Sequence, residues 1–369
     1  MRIVLDATGG DHAPAQPVRG AVLAARALGC AIILVGPEAQ VRAELAKHPV
    51  DGLDITVVDA PDAIGMDEAP AQAVRRKDRS PHVVGLRLVR HGEADAFVSA
   101  GHSGATMAGA TLILGRIRGI ERPALASIFP ARARPFLLLD VGATTDCKPE
   151  YLAQFAHMGS LYAERSLGYS NPRVALLANG EENTKGDKLV QDAHALLRGS
   201  ALNFVGNAEP KDALVGSVCD VLVCDGFVGN LFIKQAEAVV RLAVELALAE
   251  VKRDLPARLL PGLLPAALLV GMKRTRAGAL LGMLGAAPAL LGSLLVPALL
   301  RFRIKADYRA YGGAPLLGLK GVAIVAHGKS DAAAVMSAIR QAKEAVERGA
   351  VTGIADEIGP LNGVPRAAP

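Results

Sequence analysis

The sequence predicts an α/β fold with a mainly parallel sheet, and three observations predict it. Short β-branched runs alternate with longer helix-compatible stretches along most of the chain. The runs are continuously apolar, as in strands covered on both faces. Most of them end on Gly, Asp, Asn or Ser, the residues of strand-to-helix turns.

The expected strands, in order, are "RIVLDA", "AIILVG", "DITVVDA", "DAFVSA", "PFLLLDVGA", "RVALLANG", "LNFVGN", "VCDVLVCDG" and "GVAIVAH". Helices are expected between them, most clearly over 149–167, 186–198 and 330–348. Parallel sheets bind ligands beyond the carboxyl ends of their strands. Asp6, Ser99, Asp140, Asn179, Asn207, Asp225 and His327 are therefore expected along one rim, which would be the site.

The alternation stops at 255–300. Two apolar blocks, separated by "KRTR" (Lys273, Arg274, Arg276), include 24 consecutive uncharged residues, about 36 Å if helical. That length qualifies for spanning a bilayer, but Pro288, Pro297 and four glycines interrupt the second block. A protruding apolar helical hairpin is expected instead, with Leu259, Leu260, Leu263 and Leu264 meeting a partner subunit or the bilayer interface. A buried helical pair is the plainer alternative. The expected organisation is one α/β catalytic domain over 1–250 and 306–350, an inserted basic and apolar hairpin over 251–305, and a tail over 351–369.

Charge is local. Nine Lys or Arg against one acid between Val251 and Lys305 give that segment +8, within a total of +5. With no Trp and few aromatics, a nucleic-acid surface is not expected. The four cysteines have no paired spacing, so reduced thiols and no metal are expected. The start "MRIVLDATGGDH" has no apolar signal region. Neither G-x-G-x-x-G after a strand nor a Walker loop is present, and no cofactor is expected.

Five glycine turns follow strands or precede them: "DATGGDH" with Gly9 and Gly10, "SAGHSGA" with Gly101 and Gly104, "DVGATTDCKPE", "DGFVGN" with Gly226 and Gly229, and "YGGAPLLG". Glycine lets backbone amides approach a ligand, and a following helix adds its positive end. Several such turns suit phosphate or another oxyanion. The "GHSGA" stretch also resembles a nucleophile elbow with Ala105 in place of the last glycine. On that alternative, Ser103, Asp225 and His327 would form a hydrolase triad. Lys148 and Lys234 follow strand-end turns where a cation would neutralise phosphate, His327 could act as acid or base, and Cys147 could carry an acyl thioester. The run "RRKD" (75–78) reads as a solvated helix face.

Motifs in one order, nearly end to end, give the chain its resemblance to the PlsX-type phosphate acyltransferases. They are "DATGGDHAP", "MDEAPAQAVRRKDRS", "SAGHSGATMAGA", "DVGATTDCKPEYLAQFAHMGS", "NGEENTKGD", "NFVGNAEPKD", "CDGFVGNLFIKQAE" and "YGGAPLLGLKGVAIVAHGKS". The resemblance implies a Rossmann-like α/β/α sandwich. It also implies transfer of a long acyl chain from acyl carrier protein to inorganic phosphate, with the acyl phosphate consumed by a glycerol-3-phosphate acyltransferase. A homodimer attached peripherally to the inner face of the cell membrane through the hairpin is implied as well. The family often has "AMGGD", "AGNTGA" and "GTEEGKGN", so Thr8, His102, Ser103 and the "GEENTKGD" turn are variants here.

The expected mechanism is direct attack of phosphate on the thioester, without a covalent intermediate. Asp6 and the amides of 101–105 and 226–230, with Asn230, would hold the phosphate beside Lys148, Lys185 or Lys234. His327 or a strand-end Asp, such as Asp225, would protonate or orient the reacting groups. Carrier protein is acidic, and Arg75, Arg76 and Lys77 or the basic hairpin residues would dock it. A phosphotransacetylase acting on short acyl donors is the alternative within the same class.

Overall fold

The computed structural model describes residues 1–271 and 312–361. Eleven strands form one sheet among these residues: β1 (Arg2–Asp6), β2 (Ala31–Gly36), β3 (Ile55–Asp59), β4 (Ala96–Ser99), β5 (Ala124–Phe129), β6 (Phe136–Leu139), β7 (Val174–Leu177), β8 (Phe204–Ala208), β9 (Val221–Val223), β10 (Ala314–Leu317) and β11 (Val322–Val325). Their spatial order is β3-β2-β1-β4-β11-β10-β5-β6-β9-β7-β8. All nine expected strands are present. The strands β5 and β10 were not expected, because "ALASIF" is alanine-rich and "APLL" is short and contains proline.

Those two strands decide the geometry. β10 runs antiparallel to both β11 and β5, and β5 runs antiparallel to β6. The strands β3-β2-β1-β4-β11 are mutually parallel, as are β6-β9-β7-β8. Three successive antiparallel pairings leave the second set pointing opposite to the first. The expected single rim is therefore corrected. Asp6, Ser99 and His327 lie at one edge of the sheet, whereas Asp140, Asn179, Asn207 and Asp225 lie at the other.

The helices are α1 (Ala15–Leu28), α2 (Glu38–Leu45), α3 (Pro70–Arg76), α4 (Pro81–Arg90), α5 (Ser103–Ile113), α6 (Pro149–Leu167), α7 (Lys188–Arg198), α8 (Pro210–Val215), α9 (Gly226–Gly271), α10 (Ala332–Glu347) and α11 (Ala350–Leu361). α1 packs on α10 so closely that a Cβ on Gly20 would stand 2.6 Å from Val335 Cβ. The helices α3, α4 and α5 form a second group. In the other half α6 crosses β9 at Gly159, where a Cβ would lie 2.7 Å from Val221 Cγ1. Every residue of β4, β6, β7 and β9 is buried, the signature of a sheet covered on both faces. Asp187 and Asp331 cap α7 and α10 by accepting from Val190 N and Ala334 N, each at 2.9 Å.

The chain divides into two compact units, Met1–Leu231 with Tyr308–Pro369, and Phe232–Asp307. In the second unit α9 continues unbroken to Gly271, through Leu259, Leu260, Leu263 and Leu264. Lys273, Arg274, Arg276 and the rest of the expected hairpin lie outside the described residues. Helix α11 occupies the first part of the segment expected as a tail, with Ile354 and Ile358 buried.

Candidate active site

At the first edge, β1, β4 and β11 are neighbours, and the turns that follow them meet. Asp6 ends β1 with its carboxylate 1% exposed. Its Oδ1 accepts from Thr8 N at 2.9 Å and Thr8 Oγ1 at 2.8 Å, and its Oδ2 accepts from Ser99 Oγ at 2.8 Å. Ser99, fully buried at the end of β4, accepts in turn from Gly101 N at 3.0 Å. His82, on α4, places Nε2 3.4 Å from Ser99 Oγ and 4.0 Å from Asp6 Oδ2. Since the single hydroxyl proton of Ser99 goes to Asp6, His82 Nε2 is the donor in that contact. Burial pushes the His82 pKa below its ordinary value; Asp6 opposes this and His102 adds to it. The ring is therefore neutral at neutral pH.

This network sits directly under "AGHSGA". A Cβ on Gly9 would lie 2.6 Å from Gly101 N, so the first and second turns touch only because position 9 is glycine. Gly10 has φ +102°, and Asp11 N donates to Gly328 O at 2.7 Å, which joins the turn after β11. Within that turn His327 Nδ1 accepts from Lys329 N at 3.0 Å, leaving the neutral ring's proton on Nε2. The "AGHSGA" turn after β4 delivers the chain into α5. His102, at the N-cap, makes no side-chain cap bond. Among the described residues the amides of Ser103, Gly104 and Ala105 have no protein acceptor, while Thr106 N already bonds His102 O. Gly101 through Gly104 are half-buried. The result is a rigid, accessible set of amide donors at the positive end of a helix, suited to an oxyanion.

The second edge is organised around Asp140, which is fully buried at the end of β6. Its Oδ1 accepts from the amides of Leu125, Gly142 and Ala143, and its Oδ2 from Thr144 N at 2.6 Å. Burial nonetheless pushes the Asp140 pKa up to about 6, with those amides pulling the other way. Gly226 N donates to Thr144 O at 2.8 Å, and Asp225 Oδ1 accepts from Phe227 N and Val228 N at 2.9 and 3.0 Å. A Cβ at Gly229 would run into the Asp140 carbonyl. The amides expected to face phosphate at 226–228 are thus already engaged, and Asp225 is a helix cap. Asn230 is exposed beside Gly142.

The remaining expected residues are scattered. Lys148 precedes α6, exposed, with Nζ 5.9 Å from the Tyr151 ring centre. Lys185 is exposed in the turn after β7 and folds against Gly180. Lys234 lies on α9 in the second unit. Lys77 donates to Glu68 and to the Ala63 carbonyl.

Two alternatives are corrected. Ser103 and His327 lie at one edge and Asp225 at the other, so a Ser103–Asp225–His327 triad is not assembled. The Cys147 thiol is pushed up to about 12, chiefly by burial and further by Asp140 and Asp225, which denies it thiolate character. No cluster of three or more His, Cys, Asp or Glu suited to a metal occurs among the described residues. His82 went unread in the sequence because nothing in "SPHVVGL" marks a histidine that packs beneath a turn 20 residues later.

An α/β sandwich that presents open amides at a strand-to-helix turn defines a class of protein equipped to hold an anionic group at a strand end. The family model described as fatty acid synthesis protein matches residues 1–284 and 272–352. A phosphate acyltransferase of Herpetosiphon aurantiacus is 57% identical over the full length of both chains. One of Desulforamulus reducens is 42% identical over 99% of each. The chain belongs to the phosphate acyltransferase family. Among solved structures, a phosphotransacetylase from Streptococcus pyogenes shares the fold with TM-score 0.57 and 17% identity over 94% of each chain. EutD phosphotransacetylase from Staphylococcus aureus gives 0.55 and 19% over 93% of this chain and 94% of that one.

Two outcomes are expected. Ser99→Ala removes one donor from a buried carboxylate and one acceptor from Gly101, which costs about 2 kcal/mol; urea unfolding measures it, and an unchanged midpoint contradicts it. Asp140 binds a proton in the folded state that the unfolded chain has lost between about pH 4 and 6. Its contribution to stability is therefore present below that window and lost as pH rises through it, by roughly 3 kcal/mol. Unfolding free energies at pH 4 and pH 7 for the native chain and Asp140→Asn should differ in slope by that amount and sign.

Proposed function

We propose that this enzyme transfers a long acyl chain from acyl carrier protein to inorganic phosphate, giving acyl phosphate for phospholipid synthesis. The observation that carries the reading is the open amide turn of Ser103, Gly104 and Ala105, held from below by Asp6, Ser99 and His82.

Phosphate is partly dianionic near neutral pH and needs little activation. Held at the α5 N-terminus, one of its oxygens attacks the thioester carbonyl carbon, and the carrier's sulfur leaves as the thiolate. That thiolate takes up the proton that hydrogen phosphate sheds as the acyl phosphate forms, and His327, at the same edge, is assigned a hydrogen bond from Nε2–H to the departing sulfur. Asp6 and Ser99 do not touch the reactants. They fix the turn so that donors already point where negative charge develops.

The residues of 251–305 are assigned to membrane-surface and dimer contact, with the catalytic domain on the cytoplasmic side. The apolar, basic composition of that segment supports this. Among the described residues no helix is long and apolar enough to cross a membrane. Because the solved structures sharing the fold are phosphotransacetylases, a short acyl donor is the second reading. Rates across donor chain lengths separate the two.

The test is thioester loss from palmitoyl-acyl carrier protein with and without inorganic phosphate, trapping acyl phosphate with hydroxylamine. Loss that needs phosphate and matches the trapped product is expected; equal loss without phosphate would make the enzyme a hydrolase. Ser103→Ala should keep turnover within about fivefold, whereas removing a true nucleophile costs on the order of a million-fold.

A further inference from the structure

The loop between α5 and β5, "GRIRGIERP" (115–123), carries three arginines and one glutamate. Its backbone is pinned at several points. Ile117 N donates to Gly318 O and Lys320 N to Gly115 O, each at 2.9 Å. Gln154 of α6 donates to Gly119 O at 3.0 Å and accepts from Glu121 N at 2.9 Å. The Arg116 guanidinium closes the loop on the Glu121 carbonyl. Such a loop holds in place the backbone from which its side chains project.

Those side chains border an open groove of about 500 Å³ lined by Thr111, Arg116, Glu121, Arg122, Pro123 and Tyr151. Arg116, Arg118 and Arg122 are exposed, and Arg122 lies 5.9 Å from the Tyr151 ring centre. Lys148 approaches the same ring from the α6 N-terminus at 5.9 Å. Leu112, 46% exposed, stands at the end of α5 beside Thr111. Asp146 and Glu150 flank Lys148, so the positive charge is concentrated on the loop side.

We propose that this groove docks the acidic face of the carrier protein that brings the acyl thioester. The inference rests on the carrier-borne donor assigned above. Arginine and tyrosine around a recess, with one apolar side chain at the rim, are the composition of a protein interface. Guanidiniums carried on such a loop steer an acidic partner and set its register. A bilayer surface is flat, whereas the groove is a recess, so a protruding protein element fits it better. The position is also suitable. Helix α5 runs from the groove to the open amide turn, and its 11 residues span about 16 Å. A tethered thioester on a seated carrier has that distance to cover. The Arg75–Lys77 run fits less well, because Lys77 is already committed to Glu68 and Ala63.

The test uses fluorescently labelled palmitoyl-acyl carrier protein, with binding to the full chain followed by anisotropy at low salt. Arg118→Glu/Arg122→Glu should weaken binding at least about tenfold, and added salt should weaken native binding in parallel. Arg75→Glu/Arg76→Glu should bind within about twofold of the native chain. If the double reversal lowers the unfolding midpoint, Arg122→Ala, which alters one exposed side chain of the groove lining, replaces it and should still weaken binding. Unchanged affinity in these variants overturns the proposal. So does lost binding to phosphatidylglycerol vesicles with carrier affinity retained. Hydroxylamine-trapped product from the native enzyme is scored separately: its absence defeats the functional reading, while the affinities still decide the groove.

Discussion

The hydrogen bond from Ser99 to Asp6 is the constraint on which the site depends. It ties the ends of two neighbouring parallel strands, and it does so inside the protein, where a carboxylate without donors would be costly. Thr8 supplies the remaining donors and Ser99 passes the connection on to Gly101. Everything above that point follows from it. The turn is fixed, Gly9 is forced to be glycine by the approach of the Gly101 backbone, a Cβ at Gly101 would crowd Asp6, His82 and Ser99, and α5 begins with its first amides uncovered. A set of open donors suited to an anion is thus made from backbone, with the acidic side chain hidden below it.

The two ends of the sheet use buried carboxylates in opposite ways. Asp6 organises a turn whose amides remain available. Asp140 spends its acceptors on the amides of its own turn, and Asp225 does the same for the start of α9. Glycine-rich turns of similar appearance therefore differ in chemistry according to whether a side chain already occupies the donors. That distinction supports placing phosphate at the α5 turn and leaving the Asp140 turn as a scaffold.

Much of this was legible in the sequence, and the part that was not has a physical cause. Apolar runs such as "FLLL" and "VALL" announce buried strands, and helix α6 begins and ends where its proline and glycine say it should. The polar strand ends were found too. Their arrangement was not, since it depends on β5 and β10, two strands with weak β-forming composition that reverse the direction of half the sheet. Sequence motifs record which turns are glycine-rich. They do not record which amides are already bonded, and that is where Asp225 changed from a candidate acid or base into a cap. His82 was invisible for a related reason: its partners, Ser99 and Asp6, are distant in sequence and meet it only through the packing of α4 on β1 and β4.

Amide hydrogen exchange with and without inorganic phosphate tests the central claim most directly. Phosphate bound at the α5 N-terminus should slow exchange over residues 99–108 and leave 140–147 and 225–230 unchanged. Protection that appears at the Asp140 and Asp225 turns, with 99–108 unaffected, would contradict the account.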